Sequence, residues 1–167
     1  GEADADKFLQ LGQQALNAGQ VALCVLAGGM ATRMGGVVKA LVEALPSKTF
    51  LQLRLGEKAH LERTYGRKMP LWMMTSDATD GPLHKALSAE TLDDFLVLFQ
   101  QNLSLRMTTD VWLFRDDSGD VSINPTGHGD LPDALRSNGA LQRFVQGGGR
   151  YVWITNLDNL GATIDPL

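Results

Sequence analysis

Val21-Ala22-Leu23-Cys24-Val25-Leu26-Ala27-Gly28-Gly29-Met30-Ala31-Thr32-Arg33-Met34-Gly35-Gly36-Val37-Val38-Lys39 joins an unbroken apolar run to a glycine-rich segment that carries two cations. The run Val21–Leu26 is short, continuous and β-branched at Val21 and Val25, which is the pattern of a strand buried on both faces of a parallel sheet. Glycines at the carboxyl end of such a strand let backbone N–H groups turn inward and approach an anion with no Cβ in the way. Arg33 and Lys39 bring positive charge to the same loop. The segment therefore reads as the start of an α/β fold with a phosphate cradle. Two common cradles do not fit: no G-x-G-x-x-G follows the strand, and the loop has no glycine-lysine pair leading into Ser or Thr. Taken alone, the segment is equally a tight strand-to-helix turn with an exposed arginine.

Outward from this segment the chain alternates. Residues 7–18 form an amphipathic opening helix with Phe8, Leu11, Ala15 and Leu16 on one side, stopped near Gly19. Beyond the cradle, Ser47 and Thr49 introduce a helix carrying Phe50, Leu51, Leu53, Leu55 and Leu61, with Gly66 at its exit. A strand follows over Leu71–Thr75, then a helix over 81–87 and a short strand over 97–99. Val111-Trp112-Leu113-Phe114, a charged turn at 115–120 and Val121-Ser122-Ile123 read as a hairpin, the one antiparallel element. Residues 131–145 read as a helix that ends at Gly147-Gly148-Gly149, and a strand over 151–155 completes the core. Alternation of this kind predicts a mostly parallel sheet covered by helices on both faces. Ligands of such sheets bind beyond the carboxyl ends of the strands. The loop over 28–39, Gln101 and Asp158 all follow predicted strands, so they are expected on one edge.

Composition bounds the function. At 167 residues the chain has the length of about one domain, with no linker, repeat or internal boundary. Its net charge of −4 and lack of a basic run give no support to nucleic-acid or membrane-surface partners. An acidic chain that binds an acidic nucleotide must concentrate positive charge locally, which puts weight on Arg33 and Lys39. The single cysteine, Cys24, cannot close an internal disulfide and reads as a small core residue. No signal peptide or bilayer-length apolar run is visible, so the cytoplasm is the expected compartment.

Leu26, Gly28, Gly29, Thr32, Arg33 and Gly35 sit on a loop that resembles the signature of sugar-nucleotide pyrophosphorylases, L-x-G-G-x-G-T-R-x-G followed by a proline-lysine pair. Ala31 stands where that pattern has glycine, Val38 where it has proline, and Lys39 comes one residue early. Further segments resemble the same family in the same order. Pro70-Leu71-Trp72-Met73-Met74-Thr75-Ser76 is similar to its M-T-S strand, and Leu96-Val97-Leu98-Phe99-Gln100-Gln101 to its F-x-Q strand. Asn124-Pro125-Thr126-Gly127-His128-Gly129-Asp130-Leu131 resembles the P-x-G-x-G-x-L uridine loop of the UDP-sugar branch, which contains the UTP–glucose-1-phosphate uridylyltransferases and the UDP-N-acetylhexosamine pyrophosphorylases. Tyr151-Val152-Trp153-Ile154-Thr155-Asn156-Leu157-Asp158-Asn159-Leu160-Gly161 resembles its metal-binding strand end. The resemblance runs from about Val21 to Pro166.

The resemblance implies a Rossmann-like nucleotidyltransferase sheet and transfer of UMP from UTP to a sugar 1-phosphate, glucose 1-phosphate first among them, with release of pyrophosphate. It places Arg33 and Lys39 on the phosphates as catalytic residues. Leu26, Ala27, Gly28, Gly29, Gln101, Gly127 and His128 would hold the nucleotide, and Asp158 would hold Mg²⁺. An amide such as Gln101 offers a donor and an acceptor to a uracil edge, and Mg²⁺ takes one or two carboxylates beside phosphate oxygens. Each residue also has a plainer reading: a loop-bonding turn histidine for His128, a polar strand end for Gln101, an Asn/Asp turn for Asp158. In the family a further stretch of sheet supplies the sugar pocket, a second metal carboxylate and another lysine. The chain is accordingly expected to be the nucleotide half of a catalytic domain, partnered by a companion C-terminal segment or a second copy along exposed strand edges. The alternative is a non-catalytic or degenerate uridine-nucleotide-binding module, and a nicotinamide-dependent enzyme is disfavoured by the missing fingerprint.

Overall fold

A computed structural model of the chain describes residues 2–31, 35–88 and 94–164. Helix α1 (Glu2–Asn17) leads into β1 (Val21–Leu26), after which β2 (Met30–Ala31) and β3 (Val37–Val38) form a small hairpin. A second small hairpin, β4 (Glu43–Leu45) with β5 (Lys48–Thr49), precedes α2 (Phe50–Tyr65). Then come β6 (Leu71–Thr75), α3 (Asp77–Leu87) and β7 (Leu96–Gln100), followed by β8 (Leu103–Leu105) and β9 (Ile123–Pro125). Helices α4 (Leu131–Ser137) and α5 (Ala140–Gln146) lead to β10 (Tyr151–Asn156).

The main sheet has four parallel strands in the order β10-β1-β6-β7. The chain steps outward from β1 through β6 to β7, then returns to lay β10 on the other side of β1. Strand order therefore reverses between β1 and β10, the place where open α/β sheets leave a crevice for ligands. In-register pairing runs from Val21↔Tyr151 to Leu26↔Asn156, so both strands end level with each other.

Both faces of the sheet are covered, which explains the continuous apolar strands. Leu23 and Val25 of β1, with Leu71 and Met73 of β6, pack in one cluster with Leu16, Leu51, Leu61, Leu83 and Leu87 of α1, α2 and α3. Ala22, Cys24, Trp72 and Met74 face the opposite cluster with Leu131, Ala134, Leu135 and Ala140 of α4 and α5. There Trp72 meets Phe144 edge-to-face with ring centroids 5.4 Å apart. Full burial of a side chain such as Leu71 or Met73 contributes about 1.5–3 kcal/mol each. Burial also raises the Cys24 thiol to a pKa of about 12, which leaves it inert as a nucleophile. Among the described residues no helix is long and apolar enough to cross a membrane.

The start of α2 at Thr49 and its end at Gly66 fall where the sequence places them, and several other expected elements shift. Helix α2 starts at its Thr49 cap: the Thr49 hydroxyl accepts from Gln52 N at 3.2 Å, and the Gln52 amide oxygen accepts from Thr49 N at 3.0 Å. Gly66 ends it at φ 62°. Helix α3 begins four residues before the expected Gly81, because Ser76 and Thr79 form a capping box rather than a strand end. The helix expected over 131–145 is two helices. Gly139 adopts φ 75° and the Asn138 side-chain oxygen accepts from Ala140 N at 2.7 Å, so a fresh N-terminus starts there. The antiparallel element pairs differently as well: β8 with β9 forms its ladder, and the expected hairpin survives as an Arg115↔Val121 bridge around the charged turn. Finally, α1 buries Leu16 but leaves Phe8 and Leu11 exposed. They line a groove of about 1040 Å³ with Tyr151 and Trp153 of the edge strand β10.

Candidate active site

The carboxyl ends of β1 and β10 build the crevice from main-chain bonds. Ala27 N donates to Met74 O at 2.7 Å and Leu157 N to Leu26 O at 3.3 Å, tying the loops after β1 and β10 to neighbouring strands. Gly28 lies where a side chain would be crowded. A Cβ there would stand 2.9 Å from Gln101 Nε2 and 3.3 Å from Ser76 N, and the Ser76 hydroxyl already donates to Gly28 O at 3.0 Å. This glycine permits the close approach, whereas among the described residues a Cβ on Gly29 would meet only Lys39 Cε, at 4.0 Å.

Pairing of β2 with β3 folds the glycine segment back on itself, and Lys39 N donates to Gly29 O at 3.2 Å. That return brings the Lys39 side chain to β10: its Nζ donates to Asp158 Oδ2 at 2.9 Å, across 119 residues of sequence. Both groups are partly exposed, so the pair adds little to stability. The Asp158 carboxyl sits below its usual pKa, chiefly because of the Lys39 hydrogen bond, with weaker help from its own backbone and from the charges of Lys39 and Arg54.

The other wall follows β7. Gln101 is buried, its N donates to Thr75 O at 2.9 Å, and its Oε1 accepts from Gly127 N at 3.2 Å. One amide thus braces Gly28 against the Gly127 loop. Gly127 adopts φ 87°, a conformation open to glycine, and exposed His128 begins the short 3₁₀ turn that follows. Asp130 anchors that turn by accepting from Asn102 Nδ2 at 2.8 Å and from the Asn102 backbone, and these bonds lower its pKa, the side-chain bond most.

Leu26, Ala27, Gly28, Gly29, Lys39, Gln101, Gly127 and Asp158 therefore share the carboxyl edge of the sheet, with His128 beside Gly127. Arg33 lies outside the described residues. Two contributors were not read from the sequence. Ser76 locks Gly28 through its hydroxyl. Arg54, on α2, is buried and reaches the loop that carries Asp158. A signal for Arg54 existed in the helical spacing Leu51, Arg54, Lys58, Leu61, which puts two cations on the stripe that faces inward.

A divalent cation fits this edge on the chemistry of its donors. Asp158 carries a hard-oxygen carboxylate with a lowered pKa that already accepts from a cation, the Lys39 ammonium. Among the described residues no group of three His, Cys, Asp or Glu could hold a metal. The chain would thus supply one carboxylate, and nucleotide phosphates and water the remaining oxygens, as Mg²⁺ sites commonly do.

A doubly wound α/β domain with a glycine-rich first loop, a braced second loop and a carboxylate at the strand-order reversal has the layout in which open α/β sheets take ligands beyond their strand ends. The family model described as UTP–glucose-1-phosphate uridylyltransferase matches residues 4–167, and the chain belongs to that family. It is 32% identical over 153 residues to UTP–glucose-1-phosphate uridylyltransferase 2 of Dictyostelium discoideum, covering 89% of this chain and 30% of the relative. With the Saccharomyces cerevisiae UTP–glucose-1-phosphate uridylyltransferase the identity is 31% over 154 residues, 89% of this chain and 31% of the relative. A mutant UDP-glucose pyrophosphorylase from Leishmania major, crystallised with UDP-glucose, superposes with a TM-score of 0.79 at 31% identity over 90% of this chain and 33% of that one. The chain spans about a third of the length of these relatives.

Proposed function

We propose that this chain holds the UTP half of a uridylyltransferase site, in a protein that transfers UMP from UTP to glucose 1-phosphate and releases pyrophosphate. The observation that carries the reading is the meeting of the glycine loop, Lys39 and Asp158 at the switch point, with Gln101 and Gly127 braced beside them. The attacking sugar phosphate is already an anion, so the reaction needs no general base. What it needs is two polyanions held in line and their charge offset. Arg33, with Lys39, holds the β- and γ-phosphates, and the main-chain N–H groups at Gly28 and Gly29 cradle the chain of phosphates. The Gln101 oxygen is occupied by Gly127 N–H, which leaves its Nε2 hydrogens for a uracil carbonyl. Mg²⁺ on Asp158 would supply Lewis-acid neutralisation of the phosphate oxygens.

The Lys39–Asp158 pair, together with Ala31 and the early lysine, gives some support to a second reading, a binding module without turnover. Calorimetric titration of the 167-residue chain with UTP and with ATP tests both. UTP is expected to bind more tightly, and tighter ATP binding would sink the uracil assignment. Pyrophosphate release from UTP and glucose 1-phosphate by the longer protein separates transferase from module.

A further inference from the structure

The loop that leaves β10 is held from beneath by one side chain. Arg54 is 2% exposed, yet all five of its N–H donors are engaged. Nε donates to Leu157 O at 3.3 Å, Nη2 to Asn156 O at 2.9 Å and to Asn159 O at 2.7 Å, and Nη1 to Ala162 O at 3.4 Å and to Glu57 Oε2 at 2.6 Å. Four of these acceptors are main-chain carbonyls on both sides of Asp158. Within the segment itself only turn bonds are available, such as Asn159 N to Asn156 O at 3.2 Å and Ala162 N to Asn159 O at 3.1 Å. A loop whose carbonyls point inward must satisfy them or sacrifice stability, and the planar guanidinium fork does this for four residues together. The positive charge of Arg54 also reaches the Asp158 carboxylate and favours its ionised form.

We infer that Arg54 is the positioning residue for Asp158: its fork fixes the backbone of residues 156–162 so that the carboxylate faces the crevice between β1 and β10, ready for a divalent cation on a bound nucleotide. The inference rests on the proposed function for the cation and on the hydrogen bonds alone for the clamp. Lysine in place of Arg54 keeps the charge but offers a single nitrogen, which cannot span four carbonyls. Glu57 complicates simple removal. Its Oε2 is held by Arg54 and its Oε1 is buried without a partner among the described residues, so Arg54→Met alone would strand a buried carboxylate. The double variant Arg54→Met/Glu57→Met removes the pair together and retains an apolar fill.

Three readouts on the 167-residue chain test the assignment: metal-free UTP affinity by calorimetry, Mn²⁺ affinity of the UTP complex by electron paramagnetic resonance, and hydrogen exchange at the amides of Asn159 and Ala162. Arg54→Lys and Arg54→Met/Glu57→Met are expected to keep the metal-free UTP affinity, since the cradle is built elsewhere. Both should weaken Mn²⁺ about 10- to 100-fold, the usual cost of losing a residue that orients a ligand, and both should speed exchange at the two amides. Asp158→Asn should weaken Mn²⁺ to a similar degree with exchange still slow, and adding Arg54→Lys to it should cost no further Mn²⁺ affinity. Parental Mn²⁺ affinity in both Arg54 variants overturns the inference; with faster exchange, that result reduces Arg54 to a structural clamp. A parent chain that binds no UTP overturns the proposed function instead, and slow exchange in the Arg54 variants would then overturn the clamp as well.

Discussion

Replacing Gly28 by alanine probes the centre of the crevice. The new Cβ would stand 2.9 Å from Gln101 Nε2, 3.3 Å from Ser76 N and 3.4 Å from Ser76 Cβ. The Gln101 amide can swing away, but it then releases Gly127 N–H from its 3.2 Å bond, at a cost of about 1 kcal/mol. Ser76 N is main chain at the start of α3 and cannot swing, so the overpacking there adds about 1 kcal/mol more. A total of about 2 kcal/mol lowers the melting temperature of a chain this size by on the order of 5 °C. The Gln101–Gly127 brace is also the proposed uracil wall, so UTP affinity should fall by a similar free energy, about 30-fold. Thermal melts and calorimetry, with Gly29→Ala as control, measure both effects. Gly29→Ala should melt with the parent, since among the described residues nothing lies nearer its Cβ than Lys39 Cε at 4.0 Å. Gln101→Ala removes the obstructing amide, so in that background Gly28→Ala should cost less, and the two substitutions should couple by about 1 kcal/mol. A Gly28→Ala variant indistinguishable from Gly29→Ala, or additive with Gln101→Ala, would refute the reasoning.

Arg33→Ala should slow pyrophosphate release by the longer protein about 100-fold or more, the usual scale for one lost donor to developing phosphate charge, while uridine affinity holds; near-parental turnover removes Arg33 from the mechanism. Acid should destabilise the fold through Asp158 and Asp130. Both carboxyls are held below their ordinary pKa in the folded chain, so their contribution is complete above the unfolded value of about 4. It is lost as pH falls through the lowered folded values, and the loss appears in urea unfolding measured from neutral pH downward. Lys39→Met should shrink the Asp158 part of that acid loss, and added salt should shrink it too, since the pair is partly exposed. An acid limb unchanged by Lys39→Met would show that the pair does not persist in solution.

Much of the fold and part of the site could be read from local chemistry. Val21–Leu26 is continuous and apolar because a strand between two helical layers meets oil on both sides, and the strand falls where the run does. Thr49, Gln52 and Gly66 bound α2 by bonds within a few residues, so their meaning is local. The glycine loop, Gln101 and Asp158 could be placed on one edge because each follows a strand of the sheet, and parallel strands end together, whereas Gly127 follows β9 of the small antiparallel pair. Where periodicity overrode turn chemistry, at Asn138-Gly139, the reading merged two helices into one.

Other features depended on distance in sequence rather than on local pattern. The order β10-β1-β6-β7 follows from which crossover covers which face, and that order alone makes the ends of β1 and β10 neighbours. Only then can Lys39 meet Asp158 across 119 residues and Arg54 reach Asn156 and Ala162, more than a hundred residues away. The sequence by itself determined the strands of the main sheet, the caps of α2 and the glycine loop after β1, whose forces act over a few residues. The tertiary structure decided which charges pair and which carbonyls an arginine satisfies, because those bonds exist only after the sheet has chosen its neighbours.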